Sequence, residues 1–179
     1  MNSSEANPNG FTLIEILVVA SIIAVISTIV IFNVGLERQN SALLRSSQKL
    51  SLNLRRVQSF ALSSKAYKNS GIPCGWGVHF NSINSTSYII FADLAISPNC
   101  SDRDFIRDAN GFEDFEMINL ESGINVSNLS NNLSDVVFSP PEPTVNFTPN
   151  QTTAIIVLIS KNGATRMINI NKTGFISSP

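Results

Sequence analysis

Residues Gly10–Phe32 read GFTLIEILVVASIIAVISTIVIF, and this run decides how the rest of the 179-residue chain must be read. From Ile16 to Phe32 no residue carries a charge. Taken from Phe11 to Val34 as a helix, the run has 24 residues and a length of about 36 Å, enough to cross ~30 Å of hydrocarbon. Glu15 is the anomaly. A carboxylate inside such a run costs a few kcal/mol in a bilayer and calls for a functional reason. A secretory signal peptide describes the stretch less well. The apolar core is too long, the preceding MNSSEANPNG has no Lys or Arg, and no small-x-small site follows the core.

The apolar pattern continues beyond the span. Leu36, Leu43, Leu50, Leu54, Val57 and Ala61 follow spacings of 7, 7, 4, 3 and 4, one stripe of an amphipathic helix. No proline intervenes between the span and Pro73, and Gly71 stands where a helix stop is expected. The pattern predicts one helix from about Phe11 to about Lys68, roughly 85 Å long, part of which must protrude from a small domain. After Pro73 the texture becomes that of strands. Trp76–Asn81 and Tyr88–Ala92 are aromatic and β-branched, Val136–Phe138 and Val145–Phe147 are short apolar runs, and Ala154–Ser160 and Thr165–Ile170 flank an Asn162-Gly163 hairpin signal. Pro140, Pro141, Pro143 and Pro149 argue against central strands in their own region. The expected fold class is α+β, with a long helix, apolar and then amphipathic, packed on a mostly antiparallel sheet. Trp76 is expected to anchor the first strand in the core.

Net charge is −1, but the signs are segregated. Arg38, Arg45, Lys49, Arg55, Arg56, Lys65 and Lys68 face one acid, Glu37, whereas the stretch Asp93–Glu121 holds eight acids against Arg103 and Arg107. A helix with a solvated basic face and an acidic loop region accounts for this. Head-to-tail packing of basic helix on acidic surface is the sharper alternative. Cys74 and Cys100, both in turn-rich contexts, are expected to form a disulfide closing a loop of about 25 residues, with two buried thiols as the other reading. Nothing in the sequence points to an enzyme: there is no glycine-rich phosphate loop and no readable Ser/His/Asp or Cys/His arrangement. His79, the only histidine, sits in a strand-like run as a locally satisfied residue. Asp102, Asp104, Asp108 and Asn110 do not follow the order of a calcium loop, and two cysteines with one histidine match no zinc signature. No metal and no cofactor is expected.

The stretch GFTLIEILVVASIIAVI resembles the class III signal of type IV pilins and type II secretion pseudopilins: glycine before phenylalanine, then Thr-Leu-Ile-Glu, then an unbroken apolar helix. The resemblance implies that a prepilin peptidase cuts between Gly10 and Phe11 and methylates the new α-amine of Phe11. It also gives Glu15 a role. Once the chain is cut, the Phe11 amine is a positive charge at the bilayer edge, and in a staggered filament Glu15 of one copy can meet the amine of its neighbour. A charge pair in low dielectric offsets its desolvation only when the partner is present, so such a pair favours assembly and sets register. The long helix, RRVQSFALSS, the Pro/Gly break and the WGVHF strand are similar to H-type minor pseudopilins and FimT-like minor pilins.

The implied protein is a minor structural subunit of a type IV pilus or type II secretion pseudopilus. Its expected parts are a leader (1–10), a membrane-spanning, filament-core half-helix (11–34), an amphipathic half-helix (35–70) and a β-rich globular domain (74–179). Its implied partners are the prepilin peptidase, other pilin or pseudopilin subunits, the inner-membrane assembly platform and, before assembly, membrane lipid. The implied location is the bacterial inner membrane, single-pass with the C-terminal domain outside the cytoplasm, and then the pilus or periplasmic pseudopilus. Two features depart from the family. The leader has Glu5 and Asn9 where Lys or Arg is usual beside the glycine, and the bases Arg38, Arg45 and Lys49 all follow the span, so charge alone would orient it the other way. The alternative function is DNA binding in DNA uptake through Lys161, Arg166 and Lys172 near the C-terminal hairpin, although residues 36–179 hold twelve bases and eleven acids, a thin electrostatic footprint.

Overall fold

A computed structural model describes residues 10–95, 100–140 and 144–178, without the side chains of residues 31–34 and 36. Most of the expected leader, including Glu5 and Asn9, and Pro141 and Pro143 lie outside the described residues, as does the Leu36 side chain of the predicted stripe. The chain divides into two compact units, one ending at Arg38 and one beginning at Gln39. The helix α1 spans Leu13–Leu62, 50 residues.

In the first unit, Leu13–Val30 forms a helix long and apolar enough to cross a membrane, with none of that window buried. Its leucines, isoleucines and valines are exposed all round, the pattern of a helix whose solvent is lipid rather than a protein core. The hydroxyls of Ser21 and Thr28 donate back to the carbonyls of Val18 and Ala24, which keeps both polar groups satisfied without water.

In the second unit the predicted stripe is the buried face of α1. Leu50, Leu54 and Val57 are fully buried, and Leu43 and Ala61 nearly so. Each large apolar side chain removed from water in this way contributes about 1.5–3 kcal/mol. The helix stops at Leu62 rather than near Lys68. Lys65 N–H donates to Phe60 O and Ser64 N–H to Ala61 O, the paired bonds of a Schellman cap, with Ser64 in the left-handed region at φ 49°. The Lys65 carbonyl, freed from the helix, accepts the indole N–H of Trp76 at 3.1 Å.

Among the described residues nine strands follow: β1 (Gly75–His79), β2 (Ser87–Asp93), β3 (Asp114–Asn119), β4 (Ile124–Leu129), β5 (Asp135–Ser139), β6 (Thr144–Thr148), β7 (Thr153–Ser160), β8 (Thr165–Asn171) and β9 (Ile176–Ser177). They form two antiparallel sheets instead of one, in the orders β3-β2-β1-β5-β6 and β4-β7-β8-β9. The six predicted runs fall in β1, β2, β5, β6, β7 and β8. Pro140 follows β5 and Pro149 follows β6, so neither interrupts a ladder, although β5 itself lies inside the sheet.

One core joins helix and sheets: Leu50, Leu54 and Val57 of α1 pack with Trp76, Val78, Tyr88, Ile90 and Val136 of the first sheet and Val126, Ile156, Leu158 and Ile168 of the second. Trp76 is 1% exposed and meets Phe60, Tyr67 and Phe115 edge-on. Tyr88, fully buried, accepts an N–H from Asn53 at 2.7 Å, and burial pushes its hydroxyl pKa up to about 12. The other face of the five-stranded sheet is also closed. Ile89, Phe91 and Val137 are buried there, and β1 presents Gly75 and Gly77 to them. A β-carbon on Gly77 would sit 2.5 Å from the Phe91 ring and one on Gly75 2.6 Å from Val137.

Candidate functional site

The site built from the sequence begins at the end of α1. Gly10 is exposed and Phe11 is 80% exposed, so the peptide bond between them is open to an incoming enzyme. The helix begins at Leu13, with Thr12 in the capping position. The Glu15 N–H donates to Thr12 Oγ1 at 3.3 Å, while the Thr12 N–H and hydroxyl donate to Glu15 Oε2 at 3.3 and 3.4 Å. This is a capping box, in which each residue satisfies a backbone donor that the first helical turn leaves unpaired. Glu15 therefore has partners within its own chain, and its carboxylate favours the positive end of the helix dipole. The signal was present in the sequence as Thr-x-x-Glu ahead of an apolar run.

The globular unit carries the remaining candidates. Cys74 and Cys100 form a disulfide, with their α-carbons 5.6 Å apart and a sequence separation of 26. It ties the start of β1 to the segment that follows β2. The three bases proposed for DNA do not converge. Lys161 follows β7 at the hairpin turn, Arg166 is near the start of β8, and Lys172 follows its end, where its ammonium donates to Asn150 Oδ1 at 2.9 Å. A seven-residue strand separates Lys161 from Lys172 by roughly 20 Å. On the helix, Arg56 pairs with Glu116 at 2.8 Å, Arg45 with Glu121 at 3.6 Å, and Lys49 donates to Asn119 O at 3.1 Å. Part of the segregated charge is thus matched within the chain.

His79 Nδ1 lies 2.7 Å from Asp135 Oδ1, its register partner across β1 and β5. The other Asp135 oxygen accepts the Ser134 hydroxyl. Asp104 accepts the Ile106 N–H, and Asp108 and Asn110 bond to each other, as turn-forming side chains do. Among the described residues no group of three or more His, Cys, Asp or Glu could hold a metal ion.

Residues 6–31 match the family model described as the prokaryotic N-terminal methylation motif. Comparison with curated proteins and with solved structures found no match. The matched segment contains Gly10, Phe11 and the Thr12–Glu15 box and runs through the exposed apolar helix. The chain thus carries a prokaryotic N-terminal methylation motif, the class III signal that type IV pilins and pseudopilins bear, at the head of an exposed apolar helix.

Proposed function

We propose that this chain is a structural, minor subunit of a type IV pilus or type II secretion pseudopilus, of the H-type or FimT-like kind and without catalytic activity. The observation that carries the reading is the methylation motif at residues 6–31 lying on an exposed apolar helix. On this reading residues 1–10 are a leader, 11–34 span the membrane and later form the filament core, 35–70 hold the rest of the helix, which ends at Leu62, and 74–179 form the globular part. The prepilin peptidase cuts at Gly10–Phe11 and methylates Phe11. The subunit waits in the inner membrane with its C-terminal part outside the cytoplasm, in contact with lipid, and passes through the assembly platform to other pilin or pseudopilin subunits. Glu15 then exchanges its Thr12 partners for the Phe11 amine of a neighbour.

The test is intact-mass analysis of the chain made with and without a prepilin peptidase, followed by quantification in sheared filaments. The expected result is a chain beginning at N-methylated Phe11, present in traces beside the most abundant subunit. An uncut chain in the presence of active peptidase would overturn the reading. Near-equal amounts would make it a shaft-building pilin. Protease accessibility in spheroplasts checks the orientation that the charge distribution opposes.

A further inference from the structure

Three buried carboxylates hold one segment against the outer face of the five-stranded sheet. Asp93 at the end of β2 accepts the Phe105 N–H, Asp135 in β5 accepts the Arg107 N–H at 3.3 Å, and Glu113 accepts the Asp108 N–H at 2.8 Å. Glu113 also takes the Leu94 N–H at 2.8 Å, and Thr148 in β6 donates to the Phe105 carbonyl. Residues 103–108 thus form a strap across the face that contains Ile89, Phe91 and Val137. The disulfide at Cys100 moors one end and the bidentate Arg107–Asp114 pair the other. Asp135 meets the His79 ring at 2.7 Å, but neither Asp93 nor Glu113 has a salt bridge among the described residues. Asp93 is 1% exposed and Glu113 3%, and Asp93 Oδ2 has no hydrogen-bond partner.

We propose that Asp93 and Glu113 make the strap proton-sensitive: it is tight when the pair holds a proton and loosens when both are ionised. Two buried carboxylates without a salt-bridge partner repel each other and lose hydration, and one proton on the pair removes the repulsion and one of the two desolvation costs. The charges facing Asp93 are Glu113 beside β3 and Asp104 and Arg103 on the strap, and those facing Glu113 include Asp108, Asp104 and Arg107. The acids outnumber the two bases, and Arg107 is held by Asp114. Burial, then Glu113 and Asp104, pushes Asp93 up to about 7, and burial raises Glu113 as well. In the opened strap Asp93 returns to the ordinary carboxylate range near 4. Closure is therefore favoured fully below that range and loses ground as pH rises from about 4 to about 7, with no further change above.

The experiment is hydrogen exchange of the full chain in detergent micelles at pH 5 and pH 8, corrected for intrinsic exchange rates. The amides of residues 105–113 are expected to lose protection by at least about tenfold at the higher pH. Asp93→Asn should flatten that dependence, and Glu113→Gln, which also removes the repulsion, should reduce it if the first variant does not fold. Equal protection at both pH values would overturn the proposal. An undiminished dependence in either folded variant would also overturn it.

Discussion

At Glu15 two contributions can be separated by chemistry. Glutamine serves as well as glutamate in a capping box but has no charge, whereas Thr12→Ala removes the cap and leaves the charge. Losing the cap costs about 1 kcal/mol of helix stability. If the proposed pairing with the Phe11 amine drives assembly, Glu15→Gln is processed and inserted normally but enters filaments at least about tenfold less, the equivalent of ~1.4 kcal/mol. Thr12→Ala then assembles nearly as wild type. The opposite ranking, measured by immunoblot of sheared filaments, would reduce Glu15 to a helix cap. The residue was conspicuous in the sequence because of its charge. Its local partners became visible only with the helix start placed at Leu13.

Elements differ in how much of themselves the sequence displays. The stripe Leu43, Leu50, Leu54, Val57, Ala61 identified the buried face of α1 because helical period and burial coincide. The strands rich in aromatic and β-branched residues were equally readable. β3, DFEMIN, was not, since Phe115, Glu116 and Met117 are all exposed on an edge strand and only Ile118 is buried within it. β4 has a register shift between Val126 and Asn128 that breaks its alternation. The helix stop is hidden in the sequence for a related reason: Ser64 takes the left-handed cap position that glycine usually fills, and the first glycine after it is Gly71. In β1 the glycines have a packing role. Gly77→Ala would drive a methyl into the Phe91 ring, and we expect a loss of about 1–3 kcal/mol in denaturant unfolding. A change below ~0.5 kcal/mol would mean that the ring moves aside freely.

For the molecule as a whole, the disulfide is the strongest covalent constraint. A closed loop with a sequence separation of 26 restricts the unfolded chain by about 3–4 kcal/mol in the loop-entropy account. Cys74→Ser combined with Cys100→Ser is expected to lower the Tm by roughly 10 °C while leaving cleavage at Gly10 unaffected. An unchanged Tm would show that the carboxylate-held strap closes this region without the bridge.

By itself the sequence determined the membrane-spanning length, the processing motif, the buried stripe of the helix and the strands that alternate cleanly, because each depends on residues near one another in the chain. Period, hydropathy and motif spacing are local quantities. Only the tertiary structure decided that the strands divide between two sheets, that the basic helix face is partly neutralised by Glu116 and Glu121, and that Asp93, Glu113 and Asp135 clasp one strap. These depend on which distant backbone donors and charges meet out of water. Burial turns an acid that looks solvated in the sequence into a group whose proton matters.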